Sequence, residues 1–288
     1  MSSTIEILHP GMHSTIQDQG RCGYAFYAIP RSGVMDHHAY DNIRSILGTA
    51  GNISVIECTL QAPTIRFQDS MTIVISGAKM QWKINDRQIP LNTLLTVHQG
   101  DILKGGYTTS GYRGYLGFSQ KMEVSSHFGS VSSYNYAQLG ANDGQPLFKN
   151  QIIRFNEQHS PSDSKSRISD LNNLNTFTFQ KGPEYDWIDA LSKTALVNSE
   201  FTISPQSNRM GARLNGPSLI ANKQLSQSLP VLPGFIQLLP SGQLIILLQD
   251  GQTTGGYPRI GYLSSEDLSM FNQVPIGKSV KFVLSQLE

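Results

Sequence analysis

Residues that could form a binding site concentrate in one glycine-rich stretch, residues 250–258, which reads DGQTTGGYP. Glycine lets the backbone approach a ligand closely, and the Thr, Gln and Tyr side chains supply neutral hydrogen-bond donors and acceptors. An apolar run, residues 244–248, precedes Asp250, and binding groups often lie where a rigid strand ends. We interpret the stretch as a binding loop. The alternative is a turn stabilised by its own Asp and Thr side chains.

Three further segments combine glycine with charged and polar residues: residues 15–24 (TIQDQGRCGY), 29–36 (IPRSGVMD) and 208–217 (NRMGARLNGP). Arg209 suits phosphate or carboxylate, because its planar guanidinium fork can bind either group with two hydrogen bonds. For Asp18, Arg21 and Asp36 the residue types support a structural role as well as a binding role.

The charge balance argues against nucleic acid and membrane partners. The 288 residues contain 22 Lys and Arg against 21 Asp and Glu, a formal net charge of +1, which gives no bulk attraction to polyanions. The most apolar region, residues 229–248, is broken by proline and glycine and cannot form a membrane helix. The N-terminal residues show no signal-peptide pattern, so we expect a soluble, cytoplasmic protein.

Metal and cofactor motifs are weak. Asp36 precedes two histidines, but we interpret it as a helix cap rather than a metal ligand and predict no metal site. No standard phosphate-binding loop is present. The tetrapeptide at residues 77–80 is similar to a biotin-attachment site, but it lies in a strand-like context, so we predict no covalent biotin at Lys79. Cys22 and Cys58 are too few for a disulfide scaffold, and whether they pair is left open.

Short alternating runs separated by turn residues predict a mainly β protein. The clearest runs are residues 72–76, 80–84 and 94–97, with a turn at Asn85–Asp86. Three helices are predicted, at residues 37–47 with Asp36 as the N-cap, 187–193 with Asp186 as the N-cap, and 265–271 with Ser264 or Ser265 as the N-cap. Residues 157–175 are rich in Ser, Asp and Asn and are interpreted as a linker or exposed excursion between domains at 1–156 and 176–288.

The four polar segments, taken together and in order, match the pattern of a known protein family. They occur in the order TIQDQGRCGY, PRSGVMD, RMGARLNG and DGQTTGGYP, from Thr15 to Pro258. This pattern resembles the carboxyltransferase family that includes the C subunit of 5-oxoprolinase, the regulator KipA and the matching part of urea carboxylase. The resemblance implies two cyclophilin-like β-barrel domains with a few short helices. It also implies partners, namely a KipI-like protein or the B subunit of 5-oxoprolinase, and the A subunit of that enzyme.

The sequence departs from the family pattern at several positions: residues 43–44, 48–49, 120–121, 131 and 228–229. Val131 stands where the family pattern has an arginine, which puts anion or substrate binding near this position in question. Gln120 and Lys121 replace a pair of glycines.

The resemblance implies a subunit of an ATP-dependent 5-oxoprolinase, a hydrolase that converts 5-oxoproline, a small amide, to glutamate with ATP, with or without Mg. The expected catalytic residues are Asp250, Gln252, Thr253 and Thr254. The expected substrate-binding residues are Arg209, Gly255, Gly256, Tyr257, Gln17, Asp18, Arg21 and Asp36. Two alternatives stay open: a carboxyltransferase that uses carboxybiotin and a small amide such as urea, and a non-catalytic KipA-like regulator that binds a KipI-like partner.

Overall fold

The computed structural model describes residues 3–49, 51–158 and 175–285, and it confirms the prediction of a mainly β protein. The described residues fall into two compact units. The first comprises those of Met1–Arg21 and Ser32–Leu171, and the second those of Cys22–Arg31 and Asn172–Glu288. Most of the predicted linker, residues 159–174, lies outside the described residues, so the linker and the domain limits stay predictions.

The first unit contains twelve strands among its described residues: β1 Ser3–His9, β2 His13–Gln17, β3 Val55–Thr59, β4 Thr64–Phe67, β5 Met71–Lys79, β6 Lys83–Ile84, β7 Arg87–Gln88, β8 Leu94–Val97, β9 Ile102–Lys104, β10 Ser110–Phe118, β11 Gln120–Met122 and β12 Ile152–Gln158. They form a seven-stranded sheet in the order β11-β12-β1-β4-β9-β6-β7 and a five-stranded sheet in the order β2-β3-β10-β5-β8. Both sheets contribute buried side chains to one core, with Ile7 and Phe67 from the first and Ile56 and Leu116 from the second.

One α-helix is present among the described residues of the first unit, and this helix, α1 (His37–Ile46), packs against strands β5 and β10 of the five-stranded sheet. Its buried Tyr40 and Ile43 form a second apolar cluster with Val74 and Tyr115. A Cβ atom at Gly117 would lie 2.2 Å from Ile43 Cγ2, so the glycine permits this close packing. The predicted cap is confirmed, because the Asp36 side chain accepts a hydrogen bond from the Ala39 amide.

The second unit is built on a closed barrel. Its nine strands are β13 Thr176–Lys181, β14 Phe201–Ile203, β15 Gly211–Asn215, β16 Leu229–Pro230, β17 Phe235–Leu238, β18 Leu244–Leu247, β19 Thr254–Gly255, β20 Arg259–Leu263 and β21 Ser279–Leu284. Seven of them close in the order β13-β20-β17-β18-β15-β14-β21, and the parallel pair β13 and β21 completes the circuit. The remaining two, β16 and β19, pair only with each other.

Two further α-helices belong to the second unit, α2 (Ala190–Asn198) and α3 (Ser265–Phe271). Helix α3 begins and ends as predicted, and Ser264 is its N-cap. The prediction of a helix at 187–193 capped by Asp186 is wrong. Trp187 ends a 3-10 helix and α2 begins three residues later, because the Asp189 carboxylate caps it by accepting from the Ser192 amide at 2.6 Å. The 3-10 helices are Ala25–Tyr27, Asn135–Ala137, Ala141–Gly144 and Tyr185–Trp187.

Local turn signals predicted some strand limits correctly and missed others. Strand β8 matches its prediction, and Asn85 and Asp86, with φ values of 47° and 65°, form the predicted turn between β6 and β7. Residues 80–84 are not one strand, because Gln81 adopts a left-handed φ of 49° that interrupts the extended backbone. Strand β5, Met71–Lys79, is longer at both ends than the predicted run of residues 72–76.

Both cysteines are free: Cys22 is exposed and Cys58 is buried. Burial raises the pKa of the Cys58 thiol. Within the described residues, no helix combines the length and the apolar character needed to cross a bilayer.

Candidate functional site

The predicted binding loop of the second unit is anchored by an ion pair between Arg209 and Asp250. The guanidinium donates from Nε to Asp250 Oδ2 at 2.8 Å and from Nη2 to Oδ1 at 3.2 Å. Both side chains are largely buried, with 14% and 9% of their surfaces exposed. Two parallel hydrogen bonds fix the direction of the guanidinium as well as its distance. The two residues that the sequence assigned separate roles are therefore direct partners.

Main-chain hydrogen bonds hold the two halves of this pair together. The Asp250 amide donates to the Arg209 carbonyl at 3.0 Å, and the Leu248 amide donates to the Met210 carbonyl at 3.0 Å. A Cβ atom at Gly251 would lie 3.0 Å from the Met210 oxygen. Glycine at this position therefore lets the loop that follows β18 approach the Arg209 segment closely.

The rest of the loop is held by strand β16 and by a side chain of the barrel strand β17. Strand β19 pairs with β16, and the Val231 amide donates to the Thr253 carbonyl at 3.0 Å. Beneath it, the fully buried Gln237 donates from Nε2 to the Tyr257 carbonyl at 3.3 Å. A Cβ atom at Gly255 would lie 2.7 Å from this nitrogen, so a larger residue would displace the loop.

A second buried ion pair supports the same loop, and sequence reasoning missed it. Arg259 donates from Nε and Nη2 to the two oxygens of Glu184 at 2.9 and 2.8 Å, and from Nη1 to the Pro230 carbonyl at 2.9 Å. Burial alone would raise the pKa of Glu184, but the hydrogen bonds from Arg259 outweigh it and lower that pKa. Glu184 and Arg259 lie 75 positions apart, and no local signal links them.

A cavity of about 280 Å³ opens beside the loop. Its lining includes Gly256, Tyr257 and Pro258, together with Lys223 and Gln224. This combination offers an aromatic face, an amide and one cation to a small ligand. Gln252 and Thr254 are exposed, and their side chains form no hydrogen bond within the described parts of the chain. Their donors and acceptors are therefore available to a ligand.

In the first unit, the predicted residue Asp18 is the centre of a hydrogen-bond network that we call the Asp18 hub. Its carboxylate accepts five hydrogen bonds, from Gly20 N, Val131 N, Ser130 Oγ, Ser132 Oγ and Asn52 Nδ2, at 2.6 to 3.1 Å. A carboxylate has about four lone-pair sites. The chain itself uses this acceptor capacity, so the geometry gives Asp18 the role of holding the loop at residues 130–132.

The other predicted residues of the first unit also have partners in the chain. Gln17 is fully buried and donates to Thr15 Oγ1 and the Ser133 carbonyl. Arg21 is 3% exposed and donates to the Ser132 carbonyl. Asp36 caps α1, and its amide donates to the hydroxyl of Tyr115 at 2.9 Å. Whether any of them also contacts a substrate stays a prediction.

Sequence reasoning also missed a buried carboxylate next to the Asp36 cap. Glu57 is 2% exposed and accepts hydrogen bonds from the Met35 amide and the Tyr115 hydroxyl, both at 2.8 Å. Burial and the negative charge of Glu57 raise the pKa of Tyr115 well above its usual value. Tyr115 and Glu57 face each other on β10 and β3, and only strand pairing brings them together.

The described residues include no group of three or more His, Cys, Asp or Glu side chains arranged to hold a metal ion. We therefore assign no residue of this part of the chain to magnesium.

The described residues thus form one unit of two β-sheets and a second unit built on a closed β-barrel. The family model described as carboxyltransferase domain, subdomain A and B, matches residues 27–284. The chain therefore belongs to this carboxyltransferase domain family, and the resemblance drawn from the sequence is confirmed.

Individual proteins of known name are similar to this chain. The chain is 31% identical to the 5-oxoprolinase C subunit of Escherichia coli over 287 residues, covering 99% of this chain and 92% of that protein. It is also 31% identical to the protein of the same name from Haemophilus influenzae, over 99% of this chain and 92% of that protein. The crystal structure of the K. lactis urea amidolyase matches with a TM-score of 0.90 at 24% identity, covering 98% of this chain but 18% of that one. The last match shows the fold alone.

Proposed function

We propose that this chain is a subunit of an ATP-dependent 5-oxoprolinase complex that converts 5-oxoproline to glutamate. The observation that carries the proposal is the loop 250–257, which the pair of Arg209 and Asp250 anchors and whose last residues, Gly256 and Tyr257, line a cavity of about 280 Å³. Support also comes from the two relatives named as the C subunit of 5-oxoprolinase, which align over 99% of the chain. The name of these relatives implies other subunits, and we propose the A and B subunits as the partners, in the cytoplasm.

The chemistry of the loop suits a lactam. The N–C=O group of 5-oxoproline offers one donor and one acceptor, and Gln252, Thr253 and Thr254 present neutral groups of both kinds. In the proposed reaction, the γ-phosphoryl group of ATP passes to the lactam oxygen and ADP leaves. Water then attacks the activated carbon, the ring C–N bond breaks with proton transfer to nitrogen, and a second water hydrolyses the remaining acyl phosphate.

Asp250 has a specific role in this proposal. Its two hydrogen bonds from Arg209 leave acceptor capacity on the carboxylate, so it can accept a proton or hold the ring nitrogen. Arg209 first orients this carboxylate, and only secondarily offers charge to a phosphate or substrate carboxylate. ATP, with or without Mg, is proposed as a substrate of the whole complex and is not assigned to residues of this chain. Covalently bound biotin is not part of the proposal.

The test is glutamate release and ATP hydrolysis that depend on 5-oxoproline, with this chain mixed with its cognate A and B subunits and each omitted in turn. We expect both activities to vanish when this chain is left out. Asp250→Asn should lower the rate by about 10²-fold or more if the carboxylate accepts a proton. Asp186→Asn, an exposed change in the same unit, should leave the rate unchanged. An assembled complex that releases no glutamate would contradict the proposal.

A second candidate function is carboxyl transfer from carboxybiotin to urea or a similar small amide. The observation that favours it is the match with urea amidolyase of Saccharomyces cerevisiae, 26% identical over 98% of this chain but 16% of that protein. Retention of the chain on a biotinylated carrier protein without ATP would support it. A KipA-like regulator is the third candidate, and it predicts a tight complex with a KipI-like partner and no turnover of either substrate.

A further inference from the structure

The first unit contains a cavity of its own, of about 380 Å³, next to the Asp18 hub. Three segments line it: residues 52–54, the end of β10 with β11, and the loop that includes Val131. The volume lies within the usual range for small-molecule sites. Because Asp18 accepts hydrogen bonds from Val131 N and Ser130 Oγ, the loop wall is fixed before any ligand binds.

Two polar residues of the lining are already satisfied by the chain. Asp18 accepts five hydrogen bonds, as described above. Asn52 accepts from Gln19 N and the Tyr40 hydroxyl at its oxygen and donates to Asp18 at its nitrogen. Asp18 and Asn52 therefore shape the cavity, and a ligand would bind to other polar groups of the lining.

Two neighbouring residues of β11 supply those groups. Gln120 Oε1 is buried and accepts no hydrogen bond within the described residues, and a buried amide oxygen of this kind gains free energy from any donor that reaches it. Lys121 is exposed, forms no ion pair within the described ranges, and is the one cation of the lining. An anion at Lys121 and an N–H at Gln120 would therefore both be bound favourably.

Apolar side chains form much of the remaining lining, together with Ser54, Ser126 and Gly129. Ile53, Phe118 and Met122 are at least 92% buried, and Val131 is half-buried. The apolar side chains suit a short hydrocarbon body such as a five-membered ring rather than a sugar or a nucleotide, because Ser54 and Ser126 could pair with only a few of the hydroxyl groups of those larger ligands.

We propose that this cavity binds a small organic carboxylate that also carries an N–H group, with the carboxylate at Lys121 and the N–H donated to Gln120 Oε1. The inference goes beyond the proposed function, because it assigns a ligand to a cavity that residues of the first unit line. It rests on that function only for the choice of probe, 5-oxo-L-proline, which carries both groups on a five-membered ring.

The test is an NMR titration of the full chain with its methionine methyl groups labelled with ¹³C. Met122 lines the cavity and is one of eight methionines, so its signal can be assigned with a Met122→Leu variant. We expect 5-oxo-L-proline to shift this signal with saturation. Lys121→Gln, which removes the charge and adds no new methyl group, should weaken binding about tenfold or more. Lys149→Gln, at an exposed lysine of the same unit, should have no effect.

Two analogues separate the two contacts. 2-Pyrrolidinone lacks the carboxylate, so it should bind weakly and equally well to the parent chain and to Lys121→Gln. The corresponding lactone lacks the N–H, so it should bind more weakly than the lactam but still depend on Lys121. A Met122 signal that stays unmoved at about 20 mM 5-oxo-L-proline, or an unchanged affinity in Lys121→Gln, would overturn the inference. Because binding is measured on this chain alone, either result is independent of glutamate release by the complex.

Discussion

Asp18 of the first unit and Asp250 of the second are both buried, and their carboxylates are stabilised in different ways. Asp18 accepts hydrogen bonds from two main-chain amides, two serine hydroxyls and an asparagine amide. Asp250 instead faces a single cation, the guanidinium of Arg209. The comparison teaches that a buried charge can depend on many neutral donors or on one ionic partner. If Asp18 loses one donor, four donors remain. If Asp250 loses Arg209, its buried negative charge has lost its ionic partner.

The largest expected effect is that of Asp18→Asn, which changes one carboxylate oxygen into an NH₂ group. That group would face the donors that now point at the carboxylate, and we expect unfolding to become easier by about 4 kcal/mol. The measurement is urea unfolding followed by the fluorescence of Trp82, in a Trp187→Phe background. The chain has two tryptophans, and this change leaves the one in the first unit as the reporter. A loss below about 1 kcal/mol would show that the hub is not central to the first unit.

The next effect is that of Arg209→Met, which removes the cation and leaves the Asp250 carboxylate largely buried. We expect a loss of about 3 kcal/mol in the second unit, measured by the fluorescence of Trp187 in a Trp82→Phe background. The double variant Arg209→Met, Asp250→Asn should recover part of this loss, because the stranded charge is gone. Lys281→Met, at the exposed pair with Glu200 in the same unit, is the control and should cost less than about 1 kcal/mol. If the double variant is no more stable than Arg209→Met, the loss does not come from a buried Asp250 charge without a partner.

Glu184→Gln tests whether the second ionic pair behaves like the first. The pKa of folded Glu184 is lowered by its hydrogen bonds from Arg259, against the effect of burial. The pair therefore stabilises the folded state above the unfolded pKa of about 4.3, and this contribution is lost as pH falls through the folded pKa. We expect Glu184→Gln to cost about 2 kcal/mol at pH 7. The difference from the parent chain should shrink below about pH 4, and a difference independent of pH would exclude a charge effect.

The smallest effect belongs to the edge of the Asp18 hub. The Tyr40 hydroxyl shares its proton between Asn52 Oδ1 at 2.8 Å and the Ile53 carbonyl at 3.0 Å, and it accepts from the Ile53 amide at 2.9 Å. Tyr40→Phe removes these contacts and should cost about 1 kcal/mol. Burial raises the pKa of Tyr40 to about 12, so the hydroxyl stays protonated and the cost should be constant from pH 6 to pH 9. A cost as large as that of Asp18→Asn would mean that the hub depends on each of its donors.

Three of the positions where the sequence departs from the family pattern lie around one cavity. Val131, Gln120 and Lys121 all line the cavity of the first unit. The cation that the family pattern places at position 131 is absent here, and a different cation stands at 121. The sequence showed each change separately, but only the fold shows that they border one cavity.

Local features were predicted well because their causes lie within a few residues. Asp36 and Ser264 cap helices through amides three positions away, and Asn85–Asp86 adopt the turn that their residue types favour. The error at α2 has the same origin, because two aspartates three positions apart, Asp186 and Asp189, are both acceptable caps. Tertiary packing decides between them.

The sequence by itself determined the family, the mainly β class and the loops that carry polar groups, since these depend on residue types and their order. Only the tertiary structure decided which of these residues meet. Arg209 and Asp250 are 41 positions apart, Glu184 and Arg259 are 75 apart, and Asp18 and Ser130 are 112 apart. Such pairs depend on which strands become neighbours in a sheet. The backbone must close a long loop before the contact between the two side chains can contribute favourable free energy. The residues near either side chain therefore do not indicate which partner it will have.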